Sequence, residues 1–120
     1  MKGVSFIDDL DKRKNTIAQL IFYMKQGNLT DADKEQLFKI VQNIRKSEIQ
    51  KRRFYMIYSL GPNIGEHNSY KKLAHYYECS PSAIRNSVKS VEYSLIYISS
   101  REMRILEDIV KSCNKKLNNK

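Results

Sequence analysis

Apolar residues recur three and four positions apart along most of the chain, the spacing of helices with one buried face. Ile7, Leu10, Ile17, Ile21 and Met24 form the first such stripe, and Leu20 and Phe22 widen it. Ser5 can cap this helix, Asp8 and Asp9 suit its positive end, and Gly27 closes it, so an amphipathic helix of about twenty residues is expected. Thr30 with Asp31 and Asp33 starts a second helix, lined on one side by Leu37, Ile40, Val41 and Ile44. Arg45 and Lys46 at its far end suit a negative helix C-terminus. Ser47-Glu48-Ile49-Gln50 has the form of a capping box and predicts a third helix, with Ile49, Met56, Ile57 and Leu60 inward; one bent helix across this boundary is the alternative. Gly61-Pro62 ends it, and Asn63 to Asn68 form a loop. Near the C-terminus, Ser99 and Glu102 offer another cap, and Met103, Leu106, Val110, Cys113 and Leu117 follow at the spacing of a coiled-coil seam. That seam either packs on the N-terminal helix of the same chain or joins two chains; the final KKLNNK is expected to fray. With no strand-like alternation and no internal repeat, the expected fold is all-α, a single small domain of five to six helices. Its N-terminal helices span about 6–46 and its C-terminal helix about 100–117.

Between them, residues 69–96 read SYKKLAHYYECSPSAIRNSVKSVEYSLI, a short helix, a tight turn and a longer helix. Leu73 and Tyr77 give the first an inward face, and small Ala74 permits a close helix crossing. Cys79 is an apolar plug for the turn, Ser80 a cap, and Pro81 sits where its missing N–H is no loss. Ile84, Val88, Val91 and Leu95 mark the buried stripe of the longer helix, so Ser82, Asn86, Lys89 and Tyr93 point outward. This is the pattern of a helix-turn-helix.

The Ser-Pro-Ser start at Ser80 to Ser82 and the alternation after it resemble the DNA-binding effector domain of the sporulation-initiating response regulators of Firmicutes, over about the motif itself. With the preceding RRFYMIYSLGPNIGEHNSYKKLA included, the segment also resembles region four of primary-type bacterial RNA polymerase sigma factors. It departs from the latter where Pro81, Ser82 and Ala83 replace the usual Arg-Glu-Arg, and where Asn86 follows Arg85 in place of Gln. Both resemblances imply a three-helix DNA-binding plan.

Charge agrees with an anionic partner. The 22 Lys and Arg exceed the 13 Asp and Glu by nine. Nine basic and three acidic residues lie between Arg45 and Lys89, whereas Met1 to Lys34 holds six basic and five acidic ones. The excess therefore tracks the motif. No segment is long and apolar enough to span a bilayer, and MKGVSFIDDLDKRK carries acids where a signal peptide has its apolar run, so a cytoplasmic protein is expected. Cys79 and Cys113 are too few for a disulfide framework and are expected as thiols.

No constellation for catalysis stands out. His75 and Cys79 are four apart, but a structural zinc wants four ligands and no second pair exists. His67 lies in a loop, the paired acids sit at helix starts, and no glycine motif cradles a phosphate. The expectation is a protein without catalysis, metal or cofactor, and with double-stranded DNA as partner. Ser82, Ala83, Asn86 and Lys89 would face base edges, with Asn86 suited to adenine and Lys89 to guanine or a phosphate. Arg85 would flank them, binding the backbone or an acid such as Glu66 or Glu78. Ser69, Lys71 and Lys72 at the start of the short helix, and Lys51, Arg52 and Arg53 before it, are candidate phosphate contacts. A homodimer through the terminal helices and an RNA polymerase adaptor with little DNA binding of its own are the further partner readings. Tyr76 and Tyr93 are the nearby aromatics expected at the rim.

Overall fold

The structure is a computed structural model that describes residues 6–61 and 69–118, with side chains from residue 9 onward. The expected cap Ser5, the side chains of Ile7 and Asp8, and the loop residues 62–68 with Glu66 and His67 lie outside the described residues. Six α-helices follow one another among the described residues: α1 (Phe6–Lys25), α2 (Asp31–Gln42), α3 (Glu48–Tyr58), α4 (Tyr70–Tyr76), α5 (Pro81–Leu95) and α6 (Ser100–Asn118). The fold is all-α, as the periodicity predicts.

Local chemistry sets the boundaries. Thr30 and Asp33 cap α2 reciprocally, and Ser47 and Gln50 do the same for α3, so α2 and α3 are separate helices. At the end of α1 the backbone turns left-handed at Gly27 (φ +73°), which lets the Asn28 N–H donate to the Tyr23 carbonyl at 2.9 Å. Gly61 is needed for a second reason: a Cβ there would meet Phe38 Cε1 at 2.6 Å.

Helices α3, α4 and α5 pack on one another, α1 and α2 pack on α6, and α2 also touches α3. One contiguous apolar core runs through both groups, with Leu20, Leu37, Phe54, Leu73, Val88 and Leu106 excluded from water. The molecule is 52 × 35 × 21 Å, so it is about two helix layers thick. The stripe of α6 is buried against α1 and α2 of the same chain. Tyr23 and Asn114 hydrogen-bond across that contact, and Arg13 of α1 donates to the carbonyls of Ile96 (2.9 Å) and Ile98 (2.6 Å) at the α5–α6 turn.

Several inward assignments are corrected. Phe22, Ile49 and Leu117 are exposed, while Tyr23, Phe54 and Ile109 are buried. The rest of each expected stripe holds, with Ile17 and Leu20 buried in α1, Met56 in α3, and Met103, Leu106, Val110 and Cys113 in α6, so the buried faces are wider than the stripes. Helix α2 stops at Gln42, short of Arg45 and Lys46, and α6 stays helical through part of the expected fray, to Asn118.

Candidate nucleic-acid interface

The turn between α4 and α5 is built from backbone bonds and two caps. The Ser69 hydroxyl accepts from the Lys72 N–H at 3.1 Å and starts α4. Beyond Tyr77 the chain turns left-handed at Glu78 (φ +54°), so that the Glu78 N–H donates to His75 and the Cys79 N–H to Ala74. Glycine is the usual residue for this closure, which explains why composition alone does not signal it. The Ser80 hydroxyl then accepts from the Ala83 N–H at 3.2 Å, and Pro81 occupies the first turn of α5. These four bonds within residues 69–83 fix where α4 and α5 begin and how the chain turns between them.

The two faces of α5 differ sharply. Ile84, Val88, Val91 and Leu95 are buried, as the spacing predicts, and Ser87 is buried with them. Ser82, Arg85, Asn86 and Lys89 are exposed and Ala83 is half-buried. Lys71 and Lys72 are exposed on α4. The Arg85 guanidinium sits 4.9 Å from the ring centre of Tyr70, which brings the start of α4 beside the first turns of α5. Burial raises the Tyr70 hydroxyl pKa, with Glu92 adding to the rise and Arg85 opposing it.

Helix α3 does not present its three consecutive cations together. Arg52 is exposed. Lys51 is buried, and its ammonium donates to the Gln42 carbonyl at 2.8 Å. It supplies the positive charge at the C-terminus of α2 that the sequence suggests for Arg45 and Lys46, and it is turned away from any phosphate. Arg53 donates to the Ser87 hydroxyl at 2.9 Å, lies 3.9 Å from the Cys79 sulfur, and stacks 4.5 Å from the ring centre of Tyr77. It braces α3 against the turn and α5, so of the three only Arg52 offers its charge to solvent. Charge count could not separate these roles, because the difference lies in where each side chain meets another helix.

Other contributors carry weak sequence signals. Tyr58 donates to the Glu92 carboxylate at 2.7 Å and ties the end of α3 to α5; burial, with that bond next, raises its pKa strongly. Tyr97 joins Tyr93, with ring centres 5.2 Å apart, and both are more than half exposed. Tyr97 follows Tyr93 by four residues, which is the available clue. Tyr76 is exposed as expected and meets the edge of Tyr77.

Both cysteines are free thiols. Among the described residues no three potential ligands gather for a metal ion, and no helix is long and apolar enough to cross a membrane. No family model matches the chain, and neither a curated protein nor a solved structure matches it.

Proposed function

We propose that this protein is a sequence-specific DNA-binding transcription regulator that reads the major groove of double-stranded DNA with the N-terminal half of α5. The observation that carries this reading is the solvent face of α5. Four polar or cationic side chains at Ser82, Arg85, Asn86 and Lys89 are exposed on a helix whose other side is anchored in the core and whose start is fixed by Ser80 and Pro81. A rigid helix bearing short polar groups suits a groove about 12 Å wide. Asn86 offers the paired donor and acceptor that an adenine edge takes, and Lys89 reaches guanine or a phosphate. Lys71, Lys72, Arg52 and Arg85 are the exposed cations that would neutralise flanking phosphates, with Ser69 and Ala83 at their edges.

A second reading, an adaptor that touches RNA polymerase with little DNA binding of its own, is favoured by the loss of Lys51 and Arg53 to internal bonds, which lowers the cations free for DNA. The α6 stripe, which the sequence offers either to the N-terminal helix of its own chain or to a second chain, is covered within one chain, so a homodimer on two half-sites would use another face.

Selection of duplexes from a random pool, followed by a salt titration on an enriched site, tests the proposal. One enriched sequence is expected, with a log–log slope of about −4 from four to five phosphates, and loss of sequence preference in Asn86→Ala with Lys89→Glu. Recovery of unselected DNA at low salt alone would refute an autonomous reader and leave the adaptor.

A further inference from the structure

The C-terminal half of α5 and the flank of α1 enclose a shallow open groove beside the face assigned to DNA. Helix α1 contributes Lys14, Ile17, Ala18 and Ile21. Helix α5 contributes Lys89, Glu92, Tyr93 and Ile96. Each wall is a row at i, i+3, i+4 and i+7, about 10 Å long, which is the run that two turns of a guest helix would occupy. The floor is aliphatic and the lip is aromatic. Tyr93 is 59% exposed and Tyr97 52%, an unusual amount of tyrosine ring to leave in water on adjacent turns.

The charge around this groove is mainly positive, with Glu92 the one acid among its lining residues. Lys14 and Lys89 sit at its rim, both exposed and, among the described residues, in no ion pair. The carboxylate of Glu92 is held by the Tyr58 hydroxyl at 2.7 Å. On the other side of Tyr93 a second shallow groove repeats the theme, with Ile44 and Ile98 beneath and Arg45 and Lys46 beside them. A second copy of the chain, with a net charge of +9, would bring like charges together here. A nucleic-acid backbone would meet the lysines but leave the isoleucines uncovered.

We propose that this groove docks an acidic amphipathic helix of a partner protein, its apolar side on Ile17, Ala18, Ile21 and Tyr93 and its carboxylates beside Lys14 and Lys89. The proposal stands independently of DNA reading, and Lys89 is the one residue that the two surfaces share. A partner seated here would lie beside the reading helix and change how far Lys89 is free to reach DNA.

The test is fluorescence anisotropy of the whole protein with a labelled synthetic peptide of about four helical turns, Leu at i, i+3, i+4 and i+7 and Glu elsewhere. A scrambled peptide of the same composition and a Lys-for-Glu version are the controls. Saturable binding is expected, about tenfold or more tighter than either control, and weakened about tenfold by Tyr93→Ala and by Ala18→Glu but not by Ser112→Glu on α6. Tyr93 and Ala18 are solvent-exposed, so both variants should melt with the parent protein. Equal binding of the scrambled peptide, indifference to both substitutions, or preference for the Lys version overturns the proposal. So does a dimer in sedimentation that Ala18→Glu dissociates, which would make a second copy the occupant. Binding of a single-stranded oligonucleotide that both substitutions abolish, with no peptide binding, would assign the groove to nucleic acid instead.

Discussion

Replacing Arg53 by Met separates a bracing role from a phosphate contact. The Met keeps an apolar stem of similar length and removes the guanidinium. The bond to Ser87 Oγ at 2.9 Å involves a charged donor, for which about 1.5–3 kcal/mol is typical, and the stack on Tyr77 adds about 0.5–1 kcal/mol. Against this, the Arg53 Nε is buried with no acceptor among the described residues, so its removal relieves about 1 kcal/mol, and the partial exposure of the side chain reduces the first figure. The net loss is about 1–2 kcal/mol. For a chain of this length that lowers Tm by about 4–8 °C, measurable by circular dichroism. Ser87→Ala should be coupled to it by about 1 kcal/mol in a double-mutant cycle, since the two side chains share one bond. Arg52→Ala, one residue away and exposed, should leave Tm within about 1–2 °C and reduce the salt slope of DNA binding by about 0.9. Arg53 is a phosphate contact and not a brace if Arg53→Met melts with the parent protein and reduces the salt slope as Arg52→Ala does.

Lys51→Ala should lower Tm by about 4–8 °C, because it uncovers the Gln42 carbonyl at the end of α2 and empties the space of a buried stem; an unchanged melt with weakened DNA binding would return Lys51 to the phosphate contacts. Tyr55 carries a buried hydroxyl with no partner among the described residues, so Tyr55→Phe should hold or raise Tm near neutral pH, and a clear drop would show that the hydroxyl is bonded. Burial, and next to it the charge of Glu48, pushes the Tyr55 pKa up to about 12. The unfolded chain loses this proton near pH 10 while the folded protein keeps it, so the stability tied to it is full below about pH 10 and is lost as pH rises toward about 12. Denaturant titrations across that range should show a shallower alkaline loss for Tyr55→Phe than for the parent, and identical slopes would contradict the burial.

Much of the architecture was legible in the order of residues. The caps at Thr30, Ser47, Ser69 and Ser80, Pro81 at a first turn, and the stripe from Ile84 to Leu95 are local patterns, and local hydrogen bonds and the helical period translate them directly into structure. The expected cations are there too, since charge is a property of the residue and not of its neighbours. These local patterns therefore gave an all-α chain of five to six helices, most of the buried sides and the exposed polar face of α5.

Packing between helices sets which of several equivalent-looking side chains are used up inside. Lys51, Arg52 and Arg53 are consecutive cations on one helix, and each successive residue turns by about 100°. One therefore meets the end of α2, one meets solvent, and one meets α5. Glu78 adopts a left-handed turn that sequence preference assigns to glycine, because the bonds on either side of it hold the backbone there. The groove beside Tyr93 has the same origin. Its walls lie 68 or more residues apart in the chain, and packing of α1 on α6 with Arg13 on the Ile96 and Ile98 carbonyls brings them together, a long-range placement that no local period encodes.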